Sequence, residues 1–168
     1  APIIGYAFDG FPVYGAFGYS NKDGTGGIRR MQSSYQIRNI IKRNILPNGM
    51  AASSAGPDVS TRFPLGYYVE DYEFVQGSGD LDEHNGRFCV TPEYPKGIYA
   101  YFVSLDSNLI AAYPYVLGTS YYGLVPTGNT GPGSGHNTIR ENVTSYNGTT
   151  QIDETVFELK VILFENPA

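Results

Sequence analysis

Residues 79–103 constrain the fold more than any other part of this chain. Gly79-Asp80-Leu81-Asp82-Glu83-His84-Asn85-Gly86 is a tight acidic turn, and it leads straight into two short apolar runs, residues 86–91 and 98–105. Pro92, Pro95 and Gly97 stand between the runs. Proline fixes an extended approach and glycine permits a reversal, so the two runs are expected to be consecutive strands joined by a turn.

The rest of the chain is punctuated in the same way. Asp9-Gly10 divides residues 2–14 into two extended pieces, which predicts an opening hairpin with Asp9 as turn former or ligand. Residues 21–27 read as a loop. Residues 33–46 hold the one helical spacing, with Ile37, Ile40, Ile41 and Ile45 three to four positions apart. One short helix is expected there, with Arg38, Lys42 and Arg43 on its solvated face. Residues 48–64 read as a long surface loop, and residues 67–75 as a strand with a bulge at Glu70-Asp71.

Gly128, Gly131, Pro132, Gly133 and Gly135 rule out a regular element between residues 126 and 137. In the last strand Phe157, Leu159, Val161 and Leu163 face one way while Glu158 and Lys160 face the other, until Ile162 and Phe164 close it. So apolar a strand must pair inside a sheet, its own or a neighbour's, which makes these four the expected interface residues.

With 21 Gly, 11 Pro, 15 Tyr and 16% charged residues, the composition favours an all-β fold. The expectation is an antiparallel β-sandwich or barrel-like domain with one short helix and long Gly/Pro-rich loops. It would occupy residues 1–125, followed by an arm at 126–154 and a terminal strand at 155–168. A net charge of -5 opposes binding to nucleic acid, which needs Lys and Arg to neutralise phosphates. No apolar run reaches the ~20 residues of a membrane span. The start at Ala1 suggests a processed product or a segment of something larger. Cys89 is the single cysteine and reads as a buried small hydrophobe. Asn142 and Asn147 open N-glycosylation sequons, which would matter only in a secretory host.

Asp80, Asp82, Glu83 and Asn85 gather hard oxygen ligands on one flexible turn, the composition that calcium takes. Calcium is the one candidate cofactor, and none is required. The same residues also describe a turn in which Asp and Asn bond backbone N–H groups and Arg87 pairs with a carboxylate. Only His84 and His136 could supply imidazole, too few for a multi-histidine metal site. There is no Gly-x-Ser-x-Gly elbow and no phosphate-binding fingerprint. Tyr67-Tyr68, Tyr113 with Tyr115, and Tyr121-Tyr122 can form a sugar-stacking surface or a subunit interface.

Residues 2–19, the strand Glu70-Asp71-Tyr72-Glu73-Phe74-Val75, residues 79–103 and Tyr113-Pro114-Tyr115 through Gly123 together resemble the YHYH-domain family. Within that family the chain resembles modules of virion structural proteins in tailed phages, notably phages of marine cyanobacteria. The family takes its name from a Tyr-His-Tyr-His motif, and this chain has Tyr99-Ala100-Tyr101-Phe102 at the matching place. No role that rests on those histidines carries over. The resemblance implies a non-enzymatic structural or adhesive module, located in a virion or extracellular filament, and leaves its assembly open; the arm and the apolar terminal strand fit a subunit that self-assembles through β-strand contacts. Its expected partners are further copies or other virion or filament subunits, and a host-surface glycan. The alternative is a calcium- or metal-dependent binding protein or enzyme acting on a surface polysaccharide.

Overall fold

A computed structural model describes residues 1–128. The fold there is all-β. Strands β1 (Ile3–Tyr6) and β2 (Pro12–Tyr14) form the opening hairpin, closed at Gly10, whose φ of 87° lies in the left-handed region that glycine enters without strain. Strands β3 (Phe17–Tyr19) and β4 (Ile28–Arg30) make a second hairpin around the loop at residues 21–27. Strand β5 (Tyr35–Ile37) pairs antiparallel with β6 (Tyr72–Phe74), which follows a single 3-10 turn at Val69–Asp71. Strands β7 (Gly86–Cys89) and β8 (Ile98–Phe102) are the antiparallel pair expected on either side of the 92–97 turn.

The main sheet has the order β1-β2-β8-β7, and β2 runs parallel to β8, with Val13 opposite Tyr101 and Tyr14 opposite Phe102. The sheet is therefore mixed rather than purely antiparallel, and the other four strands form two separate ribbons. Strand β8 has a partner along each edge and is also covered on both faces: Ala100 and Tyr101 are 0% exposed, Tyr99 and Phe102 2%. On one face Ala100 and Phe102 pack with Tyr14, Met31, Leu81 and Cys89. On the other, Tyr99 and Tyr101 pack with Val13, flanked by Phe11, Val116 and Leu117. Each large apolar side chain so buried contributes about 1.5–3 kcal/mol. Cys89 is buried as expected, and burial pushes its thiol pKa up.

The helix expected over residues 33–46 is not formed. Tyr35–Ile37 is a strand, and residues 38–68 form no further strand or helix. Ile37, Ile41 and Ile45, meant as a buried stripe, are exposed, whereas Arg43, assigned to the solvated face, is wholly buried. The reason lies far away in sequence. Arg43 closes a two-pronged ion pair on Asp71, Nε to Oδ1 at 2.6 Å and Nη2 to Oδ2 at 3.0 Å, with both side chains at 0% exposure. A helix of β-branched isoleucines has little intrinsic propensity to set against that contact. Residues 67–75 also differ from expectation: the 3-10 turn stands where a bulged strand was predicted, and its Asp71 accepts the N–H groups of Gly66, Tyr67 and Tyr68 at 2.9–3.1 Å.

Candidate functional site

The strand that carries the Tyr-x-Tyr motif is the place to start, because alternation sends Tyr99 and Tyr101 to one face and Ala100 and Phe102 to the other. The Tyr99 hydroxyl donates to both carboxylate oxygens of Asp82, at 2.8 and 3.0 Å. Asp82 also accepts the N–H groups of His84 and Gly86, so one carboxylate closes the acidic turn and fastens it to β8. A Cβ at Gly86 would overlap the Tyr99 hydroxyl, which explains glycine at the end of that turn. Tyr101 donates to Asp9 at 2.5 Å and accepts the Tyr122 N–H at 2.8 Å. Asp9 takes the Gly123 N–H as well, at 2.9 Å, and the Tyr122 ring lies flat on Tyr99 with centroids 3.7 Å apart. Two buried tyrosines thus pin three distant loops.

Burial first, then the adjoining carboxylates, raise the pKa of both phenols, which therefore stay protonated. Ala100 and Phe102, at the places of the family's histidines, offer no titratable group and lie inside an apolar cluster. The motif strand of this chain is a structural spine.

The four residues read as a calcium turn are not gathered round a common point. Asp80 forms a two-pronged pair with Arg29, at 2.6 and 2.5 Å, and accepts the Gln32 N–H. Burial alone would raise the Asp80 pKa, but Arg29 and the Gln32 N–H hold it below the usual carboxylate range. Asp82 is turned to Tyr99. The Asn85 amide donates to the carbonyls of Phe102 and Val116 and its oxygen accepts from Ser104. Glu83 points outward, with His84 Nε2 3.8 Å from its carboxylate. Arg87 donates to the Tyr19 carbonyl and lies over the Phe102 ring rather than pairing with a carboxylate. Among the described residues no three His, Cys, Asp or Glu side chains are grouped closely enough to hold a metal ion.

One surface feature of the described residues with room for a ligand lies beside the β5–β6 ribbon. There a cavity of about 380 Å³ is lined by the rings of Tyr35, Tyr72, Phe74 and Tyr113, with Glu70, Glu73 and Glu83 along its wall. Tyr72 and Tyr113 stack with centroids 4.1 Å apart, and Tyr35 meets Tyr113 edge-on at 5.2 Å. Sequence reading singled out Tyr113 but missed Tyr35 and Tyr72. Their signal was the spacing of Tyr35-x-Ile37 and Tyr72-x-Phe74, which marks two paired strands.

A second exposed feature is the outer strand of the main sheet among the described residues and the turn after it, where Ile4, Tyr6 and Phe8 are each more than half exposed. The interface residues Phe157, Leu159, Val161 and Leu163, the arm, His136 and both sequons lie outside the described residues. Among the described residues no helix is long and apolar enough to cross a membrane.

The family model described as "YHYH protein" matches residues 1–114, a span that includes the eight strands of the described residues, and the chain belongs to that family. No curated protein and no solved structure matches it.

Proposed function

We propose that this member of the YHYH family is a non-enzymatic structural and adhesive module, of the kind found in phage virions or extracellular filaments, that assembles with further copies through its β-strands. The observation that carries this reading is strand β1. Among the described residues it is an edge of the main sheet, and Ile4, Tyr6 and Phe8 project from that strand and its turn with 58%, 61% and 55% exposure. An unpaired strand edge beside apolar side chains is a template for another chain. The apolar alternation of Phe157, Leu159, Val161 and Leu163 provides a segment of matching character in the same chain. The buried motif strand adds support, since its tyrosines hold loops together and its remaining positions are Ala100 and Phe102.

Light scattering of the full chain over a wide concentration range tests the reading. Assembled species are expected to grow with concentration, and Ile4→Lys with Tyr6→Lys should return the chain to monomers without unfolding it. A parent chain that remains monomeric throughout, or a double variant that assembles undiminished, overturns the proposal.

A further inference from the structure

The cavity beside the β5–β6 ribbon is founded on that strand pair, and residues 46–48, Glu83 and Thr119 of neighbouring loops complete its lining. Its rings come from three separate stretches: Tyr35 on β5, Tyr72 and Phe74 on β6, and Tyr113 ahead of Pro114. The register places Tyr35 opposite Phe74, and the two rings meet at 5.7 Å between centroids. Tyr113 is held between Tyr35 and Tyr72, so ring positions are set by one another. A volume of about 380 Å³ lies in the range of small-molecule sites, roughly 300–1,000 Å³.

Its charge has one sign. Glu70, Glu73 and Glu83 line the wall, and none of the lining residues is Lys, Arg or His. The nearby Arg38 guanidinium is not among the lining residues and is engaged by the backbone carbonyls of Ile45 and Glu70. Glu70 faces the rings closely enough that its charge, after burial and the neighbouring phenols of Tyr35 and Tyr72, helps to raise the Tyr113 pKa. The π-faces of aromatic rings attract cations, and carboxylates beside them strengthen that attraction. A negative wall in a chain of net charge -5 repels anions.

We infer that this cleft binds an alkylammonium group, most favourably a quaternary one such as a choline head. Methylated nitrogen is weakly hydrated and enters an aromatic recess at little desolvation cost, while the carboxylates balance its charge from the rim. This inference stands apart from assembly at β1, which lies on a different sheet, and is tested on the monomeric Ile4→Lys, Tyr6→Lys chain as well as on the parent.

The test is calorimetric titration with choline, with its uncharged carbon isostere dimethylbutanol, with glucose, and with a trimethyl-lysine peptide. Saturable choline binding is expected, weaker by roughly tenfold or more for the isostere, a difference of about 1.4 kcal/mol. Glu70→Gln should weaken choline severalfold at unchanged thermal midpoint, and Tyr113→Leu should abolish binding. Because Tyr113→Leu could disturb the ribbon, the isosteric Glu70→Gln carries the decision. Either ranking of choline against the peptide upholds the ammonium assignment and tells whether a small molecule or a protein presents it. Equal binding of the isostere, displacement of choline by glucose, indifference to Glu70→Gln, or no saturable choline binding overturns it.

Discussion

The sheet around β8 and the loop of residues 38–71 are both ordered, by opposite means. In the sheet, backbone N–H and C=O groups satisfy each other along the ladder, and side chains are free to be apolar. The loop has no ladder. It also contains Pro47, Pro57 and Pro64, which remove donors while keeping every acceptor. Arginine has five N–H donors and no acceptor, so it complements such a segment. Arg43 donates to the carbonyls of Pro57, Phe63 and Pro64 and to Asp71, and its guanidinium lies 4.4 Å from the Tyr68 ring centroid. Irregular backbone can thus be fixed from within by one charged side chain, provided its counter-charge is buried with it.

The largest effect expected from this contrast is at Asp71. Asp71→Ala strips the partner from a buried pair and leaves three N–H groups unmet, a loss of about 3–5 kcal/mol by urea unfolding. Proteolysis should then cut within residues 41–70 before it touches the sheet. If the sheet is lost in step with the loop, the two regions are one cooperative unit and the contrast fails.

Tyr101→Phe tests the other side. It removes the hydroxyl between Asp9 and the Tyr122 N–H and should cost about 1–3 kcal/mol, without any gain in cleavage of the 41–70 loop. A neutral effect would mean that water replaces the hydroxyl there.

Acid comes next in size. Burial would raise the Asp71 pKa, but Arg43 and the N–H groups of Tyr68 and Gly66 hold it down, and Asp80 is lowered in the same way by Arg29. A carboxyl with a depressed folded pKa contributes stability that is present above its unfolded value, ~3.9, and disappears as pH falls through the folded value. The thermal midpoint should therefore drop below about pH 4. Asp80→Asn should flatten that acid limb only in part, and complete flattening would mean that Asp71 contributes nothing.

The smallest effect belongs to Ile41, 77% exposed in the loop. Ile41→Ser should change stability by no more than about 0.5 kcal/mol. A larger loss would restore a buried isoleucine stripe and return the helix to consideration.

Features legible in the sequence were those set by neighbours a few positions apart. Asp9-Gly10 marked the first hairpin, and the Pro92-to-Gly97 turn marked β7 and β8. The all-β class followed from the same punctuation. Arg43 was misread because its partner, Asp71, is 28 positions away, and local periodicity contains nothing of that distance. The cleft was half legible for a similar reason. Tyr113 was visible as a surface ring, but only the register of β5 against β6 brings Tyr35 and Tyr72 to it. The acidic turn was recognised as chemistry-bearing, while the destinations of its carboxylates, Arg29 and Tyr99, lie on other elements.

The parallel pairing of β2 with β8 sets an order of events during synthesis. Tyr101 must reach Asp9, 92 positions earlier, before the inner edge of β2 is covered. Until then the main sheet consists of the β1–β2 hairpin alone, and a two-stranded hairpin is marginal in water. Contacts between such remote partners are slow to form, because the intervening chain must be closed first. Nascent polypeptides of this protein are therefore open to wrong partners until residues 98–102 leave the ribosome, and a truncated message releases them in that unguarded form.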